Sequence, residues 1–459
     1  MQVRARHIHA LARPVLGLAA AVLAWFASLW IPPFQSPDEA AHIARAYLLA
    51  DGNWFLDAPA GKMSGGYVDS ALVVYTRHYV QMNARPDVRL DPGVSAAVGD
   101  LSWNAHGQKQ FIEMPGTGYY FPAIYAPHAL GLKIAQWLDL DLHQSYLVTR
   151  FGVILTCTAI ITLALVLHAP SPMVSAVFLL PMQLFQLLSP TIDGITTSLS
   201  LLIASLYFWS LARPYTPAWS IAVMAASLFL VVTSRPHLLP MLLMPFALAL
   251  LKKNKAIATV HTVVTIAATT WLWWAARSVV DHRVNHSYTT KDLIELYIDA
   301  PLRFFEVLSN SLNGEYLLFY YESFIGVLGF LDTRLAPLFY DYFGWGLVVA
   351  AIVGHLLTKT VPTHDDLVSR MVLAFIALAS TLMAFFAMLV TWTPHPTEII
   401  EGVQGRYFIV PALLVAFSLD ARHPPADPLK RAIWFGWIGL FGLSSLAALH
   451  GALMTRYWE

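Results

Sequence analysis

The 459-residue chain is 57% hydrophobic and only 12% charged, and its acidic and basic residues cancel to a formal net charge of zero. Soluble domains carry roughly 25% charged residues, so a soluble globular protein is excluded, and the balanced charge offers no basic footprint for nucleic acid. One cysteine, Cys157, lies inside an apolar run, which excludes internal disulfides and a cysteine-based metal site.

Taken in order, the chain begins with Arg4, Arg6 and Arg13 before an apolar run, 14–31. Pro32-Pro33 is a poor cleavage site, so this run reads as a retained first span rather than a signal peptide. Runs of about 16–22 apolar residues predict eleven spans, at 14–31, 146–168, 172–190, 194–212, 217–234, 236–251, 256–280, 336–357, 369–392, 406–420 and 432–454. The fold class expected is therefore an all-α polytopic membrane domain covering 1–459. Basic residues of the short loops fall on alternate sides: the N-terminal arginines, Arg213, Lys252, Lys253, Lys255, Lys359, Arg370, Arg422, Lys430 and Arg431 share one, and Arg235 and Arg406 fall on the other. The positive-inside rule then predicts a cytoplasmic N-terminus. Two long segments, 32–145 and 281–335, lie on the opposite, outer side, and both are expected to hold amphipathic helices along the membrane face.

Immediately after the first span comes Pro33-Phe-Gln-Ser-Pro-Asp-Glu-Ala-Ala-His42, with Arg45 and Tyr47 following. If a helix starts near Pro37, Asp38, His42 and Arg45 share a face and Glu39 sits beside it. Ser36 with Glu39 also forms a capping box, which accounts for Glu39 and part of Asp38 but not for His42 or Arg45. Ionisable groups at a membrane mouth are costly, so chemistry is the stronger reading.

Three further groups fall at outer span ends. Asp193, in Ser189-Pro-Thr-Ile-Asp-Gly194, reads equally as a site residue, able to hold a divalent ion, or as the N-cap of a span. Arg235, in Ser234-Arg-Pro-His237, can meet an anion or snorkel to headgroups. Arg406, in Gly402-Val-Gln-Gly-Arg-Tyr-Phe408, offers a fork for phosphate, with Gln404 and Tyr407 beside it and glycines that permit close backbone approach to a ligand. His282 and His286 at i, i+4 lack the partners of a zinc set. No Walker-type phosphate loop or nucleophile elbow occurs. Outer carboxylates with outer arginines suit transfer of a sugar from a polyprenyl phosphate, the carboxylate acting as base and the arginines holding the departing phosphate.

The four motifs, including Ser323-Phe-Ile-Gly-Val-Leu-Gly-Phe-Leu-Asp-Thr333, resemble the bacterial membrane family catalogued as domain of unknown function 2142. That family is similar to the GT-C superfamily of lipid-phosphosugar glycosyltransferases, which place an acidic residue on the first outer loop. The resemblance implies an inverting transferase of the bacterial inner membrane with its active site facing the periplasm. Asp38 would be its base, poised by Glu39 and His42. Arg45, Asp193, Arg235, Gln404, Arg406 and Tyr407 would line the substrate site. The implied partners are a polyprenyl-phosphate sugar donor, a glycan, lipid or protein acceptor, and membrane lipids. The alternatives are a flippase or transporter for lipid-linked glycans, against which the span-end polar groups speak, and a protein like the O-antigen polymerases.

Overall fold

The computed structural model describes residues 16–104, 107–284, 288–357, 363–419 and 424–459. Arg4, Arg6, Arg13, His286, Lys359, Arg422 and the start of the first predicted span lie outside them. The protein is an α-helical membrane protein. Among the described residues, six helices are long and apolar enough to cross a bilayer: Leu142–Leu167, Ile192–Leu211, Lys255–Ser278, Pro337–Leu357, His364–Thr391 and Pro428–Tyr457. Shorter apolar helices occupy Leu16–Ser28, Ala218–Ser234, Pro236–Lys252 and Gly405–Ser418.

The expected span at 172–190 is not one helix. It is broken into Pro172–Phe178 and Pro181–Leu188. Pro181 has no N–H to give and its ring crowds the carbonyl one turn back, so the helix cannot run through it. A proline also shapes the next irregular crossing, where a 3₁₀ turn, Pro236–Leu242 with Pro240 inside, precedes Leu243–Lys252.

Ile192–Leu211 is the central helix, with 89% of its most apolar stretch buried by its neighbours. At one end of the bundle Lys252 donates to the carbonyl of Arg213, so two short basic loops lie side by side. The two long segments gather at the other end. The first contains helices Glu39–Ala50, Ser70–Val80, Pro92–Gly99 and Ala126–Trp137, and an antiparallel ladder pairing Gly65–Asp69 with Lys109–Glu113. Contrary to the expectation of helices lying on the membrane face, Glu39–Ala50 is an interior helix: Ile43, Ala46, Tyr47 and Leu48 are buried in a hydrophobic cluster that continues through the spans to Phe417. The second segment matches the amphipathic expectation better. Leu293, Tyr297, Phe304 and Leu308 of Thr290–Asp299 and Pro301–Ser311 pack with Phe385 and Leu389, while Ile298, Leu302 and Phe305 are exposed on the opposite face.

Helix ends leave carbonyls without intrahelical partners. Where the first span stops, Arg150 of Leu142–Leu167 supplies the missing donors, its Nη1 reaching the carbonyls of Ser28 at 2.7 Å and Ile31 at 2.8 Å. At the chain's end, Arg456 donates to the carbonyls of Met82 (2.8 Å), Arg85 (3.1 Å) and Val88 (3.1 Å) and to Asp332 (3.0 Å). The last span is thereby tied to both long segments.

The glycines before Arg406 serve packing inside the protein, not approach to a ligand as their spacing suggested. A Cβ on Gly405 would lie 2.0 Å from the Phe324 nitrogen, and its own N–H donates to Ser323 Oγ at 2.8 Å. Gly402 has φ +75°, and a Cβ there would meet the Trp392 ring. Replacing Gly405 with Ala is expected to force Gly405–Phe408 off helix Gly314–Gly326 at a cost of about 1–3 kcal/mol, read as a lower unfolding temperature in detergent.

Candidate active site

Asp38 and Arg406, the first and last of the ionic groups that the sequence singles out, meet at the end of the bundle that carries the long segments. Arg406 Nη2 lies 3.1 Å from Asp38 Oδ2, and its Nη1 lies 3.2 Å from Asp193 Oδ2. The other oxygen of Asp193 is bonded to Arg235, whose Nη1 also reaches the Tyr120 hydroxyl at 3.2 Å. The result is an alternating chain, Asp38–Arg406–Asp193–Arg235, of two carboxylates and two guanidiniums. It is graded in exposure: the Asp38 side chain is 60% exposed, whereas those of Arg406 and Asp193 are 6% and 11%. Water reaches the carboxylate at the end of the chain, while the two arginines and Asp193 stay largely shielded.

Local sequence explains how each group arrives. Asp38 has φ +64° and stands outside the helix that starts at Glu39, so its side chain is free of capping duty. Left-handed backbone at a non-glycine residue is sparsely populated, and aspartate tolerates it better than most. Asp193 sits in the first turn of Ile192–Leu211, where the positive helix terminus favours a carboxylate. It is not the N-cap, which is Thr191. Arg235 stands where Ala218–Ser234 stops, with φ −137° and ψ 81°, ahead of Pro236. Arg406 lies in the 3₁₀ turn Gly405–Phe408.

The remaining sequence-predicted residues divide. His42 is buried beside the chain, its Nδ1 2.8 Å from the Tyr125 hydroxyl and its ring 6.3 Å from that of Tyr120. Tyr407 lies beneath Arg406, 5.4 Å from the guanidinium carbon, and near the His237 ring. Gln404 precedes the turn, with its side-chain oxygen buried.

Glu39 and Arg45 are elsewhere. Glu39 is fully buried, and its carboxylate accepts from the N–H of Phe34 (2.9 Å), the N–H of Ser36 (3.1 Å) and the Tyr146 hydroxyl. Half of the expected capping box is thus formed, Glu39 reaching back to the Ser36 backbone, while the N-cap is Asp38 with no side-chain cap bond. Arg45 donates to the carbonyls of Asn53 (3.1 Å) and Trp54 (2.5 Å), closing the turn after its own helix. The shared face of 38, 42 and 45 fails because Asp38 is the left-handed N-cap, without helical φ and ψ, and Arg45 is turned to the Asn53 and Trp54 carbonyls.

Sequence reasoning missed Tyr120 and Tyr125 as site residues. The aromatic run Gly118-Tyr-Tyr-Phe-Pro-Ala-Ile-Tyr125 in an otherwise polar segment was their signal. Both oxygens of Asp193 are turned to arginines, which leaves it a poor metal ligand, and no cluster of three or more metal-ligating groups occurs among the described residues.

The charges set one another. Burial pushes the Asp38 carboxyl up, but the Arg406 guanidinium bonded to it outweighs this and holds the group below its usual range. Burial drives His42 down to about 4 against the pull of Asp38, so the imidazole is neutral at pH 7. Burial raises Glu39, opposed by Arg150 and by the hydrogen bonds it accepts.

The class defined by this fold and site is a polytopic α-helical membrane protein with an ionic cluster at the end of its bundle. The chain belongs to the family described as "Predicted membrane protein (DUF2142)", which matches residues 21–415 and so spans all four motifs and the whole ionic chain. No curated protein matches the sequence. Among solved structures, ArnT from Cupriavidus metallidurans in the apo state is 13% identical over 95% of this chain and 78% of its own, with a TM-score of 0.27. The same enzyme bound to undecaprenyl phosphate matches at 13% identity over 95% and 77%, also with a TM-score of 0.27.

Two consequences can be measured. Exchanging Glu39 for Gln turns an amide N–H₂ toward backbone donors and leaves buried Arg150 without its counter-charge. About 3 kcal/mol of stability is expected to be lost, seen as earlier thermal unfolding. His42 has a folded-state pKa lowered from 6.5 to about 4, so its contribution is full above pH 6.5 and disappears as pH falls toward 4. The stability difference between the native protein and His42→Gln should therefore shrink across that window by up to about 3 kcal/mol, measured by thermal melts at stepped pH.

Proposed function

We propose that the protein is a GT-C-type glycosyltransferase that moves one sugar from a polyprenyl-phosphate donor to an acceptor hydroxyl at the periplasmic face of the inner membrane. The observation that carries this reading is the 3.1 Å pairing of an exposed carboxylate, Asp38, with a buried guanidinium, Arg406, at the end of the bundle where the long segments gather. The resemblance of the Asp38 motif to the first-loop acidic motif of that superfamily agrees with it.

In the ligand-free state Asp38 occupies a nitrogen of Arg406 that a phosphate oxygen would otherwise take. A donor phosphate arriving from the lipid side displaces Asp38, and the freed carboxylate turns to the acceptor. Arg406 then offers two donors and Arg235 a second cation, with Asp193 fixing the spacing between them. Asp38 removes the acceptor proton as the acceptor oxygen forms its bond to the anomeric carbon. The bond from that carbon to the phosphate oxygen breaks, and its electron pair leaves with the phosphate. The arginines meet charge where it develops, in a site largely shielded from water. Attack opposite the leaving group inverts the anomeric centre. His42, neutral and held by Tyr125, lies beside Asp38 and steadies it without competing for the acceptor proton. Glu39 stays out of the reaction and fixes the turn from which Asp38 projects.

The test uses the purified protein in lipid with a radiolabelled polyprenyl-phosphate sugar. Asp38→Asn is expected to lower kcat by about 10²–10⁴-fold with donor affinity kept or raised, because Arg406 loses its internal competitor. Arg406→Ala is expected to weaken donor binding as well as turnover. Transfer at the native rate by well-folded Asp38→Asn protein would remove the base assignment.

A further inference from the structure

A hollow lies beside the turn that leads from the first span to Asp38. Its volume is about 530 Å³, and it sits between the end of the first span, the start of Leu142–Leu167, helix Pro92–Gly99 and the last residues of the chain. None of Asp38, Asp193, Arg235 or Arg406 lines it. It is separated from the ionic chain by the turn through Pro32 and Pro33, and its floor is Arg150 with Tyr146, the same pair that holds Glu39.

The lining divides into two kinds. Leu29 and Ile31 from the end of the first span, Leu147 from the start of Leu142–Leu167, and Leu90 supply its apolar lining. Its polar lining includes Asp100, Asp141, His143 and Gln144. At its edge stands Trp458, 48% exposed, with its indole N–H fixed on the Trp30 carbonyl at 3.0 Å. Tyr79 contributes a second aromatic ring. The rim carboxylates repel a phosphate. The floor cation does not offset them, because the charge of Arg150 is met by buried Glu39 and its terminal nitrogens are turned to the Ser28 and Ile31 carbonyls and the Tyr146 hydroxyl. A cationic ligand would find no enclosed anion, since Asp141 caps its own helix at the Gln144 N–H and Asp100 is open to water. What remains is a neutral, hydroxyl-bearing ring. Its C–H faces stack on a fixed indole, and its paired hydroxyls match planar carboxylate and amide groups, each able to serve two hydrogen bonds at once.

We propose that this cavity is a carbohydrate-binding site, distinct from the reaction centre, that holds a neutral saccharide unit at the membrane surface. The unit is either free or carried on a lipid. The proposal goes beyond the transfer reading and does not depend on it. If transfer does occur, the saccharide here is not the residue being moved, because the cavity shares no side chain with the ionic chain. It is then a more distant part of a longer acceptor.

The experiment measures binding by calorimetry to full-length protein in phosphatidylcholine nanodiscs, using the Asp38→Asn variant so that no turnover intervenes. The probes are maltose, cellobiose and N,N′-diacetylchitobiose as free sugars, an alkyl maltoside below its micellar concentration as the lipid-borne form, and an alkyl phosphocholine as the control. Ala96 is exposed on the cavity's edge, so Ala96→Trp fills the opening without disturbing the core. Expected are saturable binding of at least one sugar probe and its loss by roughly tenfold or more in Ala96→Trp and in Asp100→Ala with Trp458→Ala. The phosphocholine should bind no better to the native cavity than to the filled one. Stronger binding of the alkyl maltoside than of maltose marks a lipid-borne ligand, and equal binding marks a free one. Both support the site. No sugar binding below about 10 mM, binding indifferent to Ala96→Trp, or equal displacement of the sugar by the phosphocholine overturns it. These outcomes are read without transfer activity, so a failed base assignment at Asp38 and a failed sugar site cannot be mistaken for each other.

Discussion

Four ionised groups in one row hold the site together, and each comes from a different part of the chain. Residues 38, 193, 235 and 406 are brought within bonding distance by the stop of the first span, the start of the central helix, a proline-broken crossing and a 3₁₀ turn. Burying a single guanidinium at this depth is costly, and an unpaired one is destabilising by several kcal/mol. Alternation removes that cost, because each interior charge has an opposite neighbour on both sides. The row terminates in water at Asp38. The least constrained member is therefore the one that a bound anion can replace.

On the transfer reading, the same row also keeps its charge constant. A donor phosphodiester brings one negative charge. When the sugar leaves, the phosphate gains a second, while the proton taken from the acceptor neutralises Asp38. The total over the site is unchanged by the chemical step; the charge only moves, from Asp38 to the phosphate that the buried arginines hold. Neutral His42 suits this arrangement, since a charged imidazole beside Asp38 would make that carboxylate a weaker base.

Much of this was legible in the residues. Polar groups at span ends stand out against an apolar background, and Asp38, Asp193, Arg235 and Arg406 were all visible on those terms. Their convergence was not, because span periodicity says which end of the bundle a residue occupies but not which helices are neighbours. Glu39 and Arg45 were misplaced for a local reason. Ser-Pro-Asp-Glu reads as an ordinary helix start, yet Asp38 adopts left-handed backbone that leaves its carboxylate with Arg406 beside His42, while Glu39 folds back on Phe34 and Ser36 and Arg45 closes the turn after its helix. Tyr120 was hidden differently: an aromatic run in a polar loop signals burial, and only the folded chain reveals that Arg235 lies against it. The break at Pro181 was readable, since hydropathy counts proline as compatible with a span whereas hydrogen bonding does not.

The squeeze at Gly405 has a mechanical corollary. Ser323 and the backbone of Phe324 grip this glycine from helix Gly314–Gly326, which continues the segment whose Ile298, Leu302 and Phe305 project outward. There is no room for even a methyl group between the gripping helix and the residue preceding Arg406. A shift of that helix is therefore passed directly to the turn that carries the guanidinium, and so to the spacing between Arg406 and Asp38.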